Sequence, residues 1–201
     1  LDHIDRLVPY RRGNTLEIDL ATRRSLELVR TMRDGNRQGS LLAVLDRTVT
    51  AMGSRLLAEW LNNPLTEIEP IGQRLDAVDE LLSDATLSDG LRIELRGVYD
   101  MQRLLARVTT GRASPRDLEF IGKTLKNLPK IKAQLTARRC GRLQQLEADL
   151  DLCPDLRGRL EAALVESCPL SSREGGIIRE GYDPKLDNLR QLAMGGKEWI
   201  A

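Results

Sequence analysis

Residues 39–65, GSLLAVLDRTVTAMGSRLLAEWLNNPL, decide how the rest of the sequence is read. They hold Leu41, Leu42, Val44, Leu45, Met52, Leu56, Leu57, Trp60 and Leu61. From Met52 the apolar positions 52, 56, 57, 60 and 61 form one stripe of a 3.6-residue helix. Thr50 stands where an N-cap belongs. Asn62-Asn63-Pro64 stops the helix, because proline disfavours the αR conformation in the residue before it. The stretch predicts a buried helix with a capped entry and a hard stop. Gly53, inside the helical pattern, predicts a close packing contact, since glycine there costs about 1 kcal/mol against alanine.

Working outward, the composition points the same way. Aromatics are 3% and charged residues 30% of 201 residues, which suits helices better than sheets. The formal charge of +1 gives no global attraction to nucleic acid or membrane, so any such argument must rest on local clustering. No apolar run approaches the roughly 20 residues of a membrane span, and no signal peptide is visible. Cys140, Cys153 and Cys168 are odd in number and far apart, and read as reduced thiols of an intracellular protein. The start on Leu1 and the end on Trp199-Ile200-Ala201 suggest a piece of a longer chain.

Before the 39–65 stretch, a helix signal covers Leu20 to Val29, and 34–39 is a polar, glycine-flanked loop that predicts local disorder. After it, Ile68, Ile71, Leu75, Val78, Leu81 and Leu82 mark a helix that Pro70 opens. Further helices follow at 86–96 and 98–109. Ser114-Pro115-Arg116-Asp117 reads as a capping box opening another, with a buried face of Leu118, Ile121, Leu125 and Leu128. Pro129 predicts an interruption, with a short continuation to Leu135. Two short leucine-marked helices lead to Pro169, and a last helix starts at Pro184. The fold class is mainly α, with one or two short β segments near residues 7–18 and 176–182. The helices at 68–82, 98–109 and 115–128 are expected to pack on the 39–65 stretch.

Most chemistry fails on inspection. The glycines never fall in a phosphate-binding spacing, and His3 is the sole histidine, so neither a nucleotide loop nor nucleophile–base catalysis is supported. No metal site is expected. Acidic pairs such as Asp76/Glu80 read as solvated helix surface. Residues 121–145 contain no acid but hold Lys123, Lys126, Lys130, Lys132, Arg138, Arg139 and Arg142. Such an edge could contact DNA phosphates. The alternative is a solvated corner balancing the acids after Glu147, favoured by the lack of interleaved aromatics. Arg103 and Arg107, one turn apart, are expected to brace a neighbouring acidic surface.

The 39–65 stretch resembles the core, or lever, domain of the MutS family of DNA mismatch-repair proteins. Four further stretches agree with it in order: LEIDLATRRSLEL (16–28), RLDAVDEL (74–81), DMQRLLARVTTGRASPRDL (100–118) and REGYDPKLDNLRQL (179–192). The resemblance implies a helical lever over 1–183 and, over 184–201, the start of a long helix into a DNA-embracing clamp. It implies a parent protein that binds mismatched double-stranded DNA, pairs as a homodimer, uses ATP and Mg, works with a MutL-type partner and lies in the bacterial cytoplasm at the nucleoid. Neither a Phe-x-Glu mismatch wedge nor Walker motifs occur here, so the 201 residues alone are not expected to be an enzyme. The rival readings are the lever of a MutS-like recombination paralogue and a free-standing helical scaffold.

On this reading Thr50, Gly53, Arg55, Trp60 and Pro64 form the packing joint of a force-transmitting domain. Trp60→Ala is expected to cost about 3–5 kcal/mol and to uncouple the parent protein's DNA and ATP sites. The missing half of the lever should leave an apolar face exposed.

Overall fold

A computed structural model describes the backbone of residues 14–200 and the side chains of residues 14–194. Its organising element is a helix of 21 residues, α7 (Pro115–Leu135), about 31 Å long at 1.5 Å per residue. The expected capping box opens it. Ser114 Oγ accepts the Asp117 N–H at 3.2 Å, and the Asp117 carboxylate accepts the Ser114 N–H at 2.9 Å. The two side chains thereby satisfy donors that a helix start otherwise leaves unpaired.

Pro129 does not interrupt α7, contrary to the sequence expectation. Its ring removes one backbone bond, but Ile121 and Leu125 are buried before it and Ile131 and Leu135 after it. Burial on both sides holds the two halves in line against a local cost of about 3 kcal/mol.

Around this spine stand α4 (Ile68–Ser83), α5 (Ala85–Leu95), α6 (Met101–Thr109), α8 (Gly141–Asp149) and α9 (Pro154–Ala163). The N-terminal half of α7 packs against α6 and α9, where Leu104, Ile121 and Leu125 form one core with Met101, Leu118 and Leu160 around it. The C-terminal half meets α5 and α8. There Leu87, Leu91, Ile131, Leu135 and Leu143 join Ala77 of α4 in a second core. Leu128 borders both. Glu80 ties α4 to α8: its carboxylate accepts the backbone N–H groups of Arg139 (3.0 Å) and Cys140 (2.6 Å), which hold its pKa below the ordinary value. Cys140, at the N-cap of α8, offers no side-chain cap of its own.

Ala137, two residues past the end of α7, has φ +60°, a left-handed conformation that glycine adopts without strain. Ala137→Gly should therefore raise stability by about 0.5–1 kcal/mol in urea unfolding, once glycine's extra unfolded-state entropy is deducted.

Before the body come α1 (Leu20–Ser25), α2 (Leu41–Leu45) and α3 (Ala51–Asn62). Here the structure corrects the sequence reading. The 39–65 stretch is not a buried hub: α3 buries none of its residues, and Trp60 is 37% exposed. The hub is α7. The apolar stripe of α3 is real, but a stripe shows which face is apolar and not how much covers it. The 34–39 loop is also more regular than expected, since Thr31 N–H donates to the Asn36 carbonyl at 2.8 Å and Gly35 N–H to Thr31 at 3.1 Å.

Among the described residues the β segments reduce to two isolated bridges, Thr15 with Leu65 and Leu164 with Ile178, so no hairpin forms over 176–182. The part of the first expected segment at 7–13 lies outside the described residues. A 3-10 turn (Ser172–Glu174) precedes α10 (Pro184–Ile200). Among the described residues, no helix is long and apolar enough to cross a membrane.

Candidate coupling joint

The lobe of residues 14–63 meets the body through polar contacts more than through buried carbon. Arg55 of α3 holds Asp100, the N-cap of α6, through two bonds of 2.7 Å, and adds Gln102 at 2.6 Å. A two-pronged guanidinium–carboxylate pair fixes orientation as well as distance. Arg55 beside it keeps the Asp100 carboxyl below its ordinary pKa, and Arg103, 3.5 Å away, adds to the effect. Asp100 also accepts the Arg103 N–H as helix cap, so one carboxylate starts α6 and ties it to α3.

Thr50 caps α3 as expected, accepting the Gly53 N–H at 3.0 Å. Gly53 is needed for that cap to fit, because a Cβ there would stand 2.9 Å from Thr50 Oγ1. Trp60 lies under the Arg74 guanidinium of α4, 3.7 Å from the ring centroid, a cation–π contact between lobe and body. Pro64 donates nothing, but its carbonyl accepts the Leu16 N–H at 2.8 Å, and Thr66 N–H reaches the Asn14 carbonyl at 3.1 Å. The five joint residues thus do not form one packed knot. Thr50 and Gly53 shape the start of α3, Arg55 and Trp60 clasp the body, and Pro64 anchors the incoming chain.

Sequence reading missed a polar cluster inside the lobe. Asp46, 9% exposed at its side chain, accepts from Ser54 Oγ (2.6 Å), Thr48 Oγ1 (2.6 Å), Thr48 N–H (2.9 Å) and the Arg37 guanidinium. The Ser54 and Thr48 hydroxyls, chiefly, hold its pKa far below the ordinary carboxylate range. The run Asp46-Arg47-Thr48 carries a weak sign of this, since Asp commonly bonds the backbone two residues on. Arg92 of α5 adds a bond to the Arg47 carbonyl at 3.0 Å.

Arg103 and Arg107 brace acids as expected: Arg103 reaches Asp100, and Arg107 reaches Asp117 at 2.6 Å. Four of the seven cations of the basic edge are paired with acids among the described residues. Lys123 pairs with Glu119, Lys130 with Glu94 at 3.6 Å and Lys132 with Glu147 at 3.8 Å. Arg138 pairs with Asp84 at 3.7 Å. Lys126 is without an ion pair among the described residues. It lines, with Lys123 and Arg179, a cleft of about 540 Å³ that also holds Glu119, Glu161 and Glu166. Among the described residues, no group of His, Cys, Asp and Glu is placed to hold a metal ion.

The model of the family described as MutS domain III matches residues 21–195. The chain belongs to the MutS family. Over its whole length it is 54% identical to the DNA mismatch repair protein MutS of Rhodopirellula baltica, 46% to that of an Exiguobacterium species and 44% to that of Symbiobacterium thermophilum. It spans 23%, 24% and 23% of those relatives, a little under a quarter of their length. The all-helical cores around α7 are thus the fold of a MutS domain III.

Proposed function

We propose that this MutS domain III is a lever: it carries conformational change between a DNA clamp and an ATPase in a longer mismatch-repair protein. The Arg55–Asp100 clasp supports this most directly. Polar contacts across a lobe boundary exchange at low cost, whereas an interdigitated apolar core resists sliding. The body, braced along α7, moves as a unit, and the lobe of residues 14–63 is held to it by replaceable bonds. In this reading residues 1–183 are the lever and residues 184–201 begin the helix into the clamp. The longer protein binds mismatched duplex DNA as a homodimer, uses ATP and Mg through segments outside this chain, engages a MutL-type partner and works at the bacterial nucleoid in the cytoplasm.

Arg55→Ala in the full-length protein tests the reading. DNA binding and basal ATPase should stay within about twofold, while stimulation of the ATPase by mismatched DNA should fall about tenfold, the loss of a coupling of about 1–2 kcal/mol. Unchanged stimulation in a folded Arg55→Ala protein would remove the clasp from the coupling path.

For the basic edge, Lys126 is the candidate phosphate contact, because Lys123, Lys130 and Lys132 are already paired. Lys126→Glu should reduce DNA affinity at low salt and lower the salt slope by about one, and Lys130→Glu with Lys132→Glu should add little to it. Equal affinity in all variants at low salt would leave the edge a structural corner.

A further inference from the structure

Asp100 is shared by two arginines, and only one of them holds it at full strength. Arg55, from α3 of the lobe, takes both carboxylate oxygens through bonds of 2.7 Å. Arg103, on the helix that Asp100 caps, stands with Nε 3.5 Å from Oδ2. That lies within ion-pair reach but beyond the roughly 2.7–2.9 Å of a charge-assisted hydrogen bond. Helical side chains lean toward the helix start, so the Arg103 guanidinium hangs beside the cap three residues before it. Its side chain is 72% exposed and has no other ion pair among the described residues. Rotation about its side-chain bonds, with no movement of the backbone, would bring it onto the carboxylate.

The two arginines compete. The fork of Arg55 fills one edge of the carboxylate, and two positive charges repel each other across a single acid. The other ties between lobe and body differ in kind. Trp60 meets Arg74 through its ring, and Arg92 meets the Arg47 carbonyl. Parting them leaves no anion behind. Parting Arg55 from Asp100 does, and that carboxylate is only 18% exposed. A covered anion without a cation is costly, so the clasp opens readily only if a second cation is at hand.

We propose that Arg103 is the second seat of the Asp100 carboxylate: when the lobe of residues 14–63 parts from the body, the Arg103 guanidinium closes on Asp100 in place of Arg55. The clasp then has two defined states, each with a paired carboxylate. Asp100 accepts the Arg103 N–H as cap of α6 in both, so the body keeps its helix start while the lobe moves. Gln102 belongs to the closed state, since its Oε1 accepts Arg55 Nη2 at 2.6 Å and loses that bond on opening. The proposal rests on the reading of the lobe as held by replaceable bonds, and it names what replaces them at Asp100.

The test uses the full-length protein without DNA or nucleotide. Phenylglyoxal labels guanidinium groups, and its initial rate at Arg55, read peptide by peptide, follows the open fraction. Arg103→Ala should slow that rate at least about threefold, because opening then strands the acid. Arg103→Lys keeps the charge and should stay within about twofold of the native rate. An Arg55 rate unchanged or raised in Arg103→Ala would overturn the proposal, since a mere brace loosens the clasp when it is removed. Hydrogen exchange over residues 100–109 gives a second reading. Arg103→Ala alone should leave it within about twofold, whereas the same change in an Arg55→Ala background should speed it at least about fivefold. Equal effects in the two backgrounds would also overturn the proposal. If the double variant fails to fold, the Arg55 labelling rate decides alone. Neither measurement involves ATPase stimulation, so the lever reading and the exchange of arginines fail separately.

Discussion

Leu125→Ala should lower the stability of the chain by about 3 kcal/mol, within the 2–5 kcal/mol range of buried leucine truncations. Leu125 is 4% exposed and packs with Leu104 and Ile121 at the crossing of α6 and α7. The neighbouring helices α6 and α7 are held at their starts by the Asp100 and Ser114 caps and packed on α9, so the cavity does not collapse fully. The loss combines the transfer term of the removed carbons with unfilled space. Trp60→Ala gives the contrast. The larger ring is 37% exposed and rests on a charged side chain, so its loss should cost only about 1–2 kcal/mol, below the 3–5 kcal/mol expected of a buried tryptophan. Urea unfolding of both variants at equal denaturant slope decides it. If Trp60→Ala proved the costlier, the stability hub would lie at α3 and not at α7.

The contrast shows what could be read in the sequence and what could not. Caps were legible, because a cap is local: Thr50 over Gly53 and Ser114 with Asp117 each lie within three residues. Helix existence was legible from the 3.6-residue period. Coverage was not. Ile68, Leu75 and Leu82 carry the same period as Ile121 and Leu125, yet one set is exposed and the other buried. The difference lies in which helix stands opposite, a property of topology. The Arg55–Asp100 clasp spans 45 residues of sequence and had no local sign, and Asp46 drew in Arg37 and Ser54 from two directions. Pro129 failed as a helix break because tertiary burial outweighed a local rule.

The second large effect follows from a carboxylate. Asp117 is 6% exposed at its side chain, and its oxygens accept from Ser114 N–H, Ser114 Oγ and Arg107 Nη1. Burial pushes its pKa up, but the Ser114 bonds and the Arg107 charge outweigh burial and leave it below the ordinary 3.8. Asp117→Ala removes the reciprocal half of the capping box and a charge-assisted bond together, so it should cost about 2–3 kcal/mol. Arg107→Ala should cost only about 1 kcal/mol, because Ser114 still satisfies the carboxylate and half of the arginine already faces water. The sign with pH follows from the lowered pKa. The unfolded chain binds this proton more readily than the folded one, so the stabilisation is complete well above pH 3.8 and is lost as pH falls through the folded pKa. The stability gap between the native chain and Asp117→Asn should therefore be full at pH 7 and shrink below about pH 4. Denaturation midpoints of both proteins across pH 3–7 would show it. A gap that did not change with pH would mean that Asp117 holds α7 by shape alone and that its charge contributes nothing to the spine.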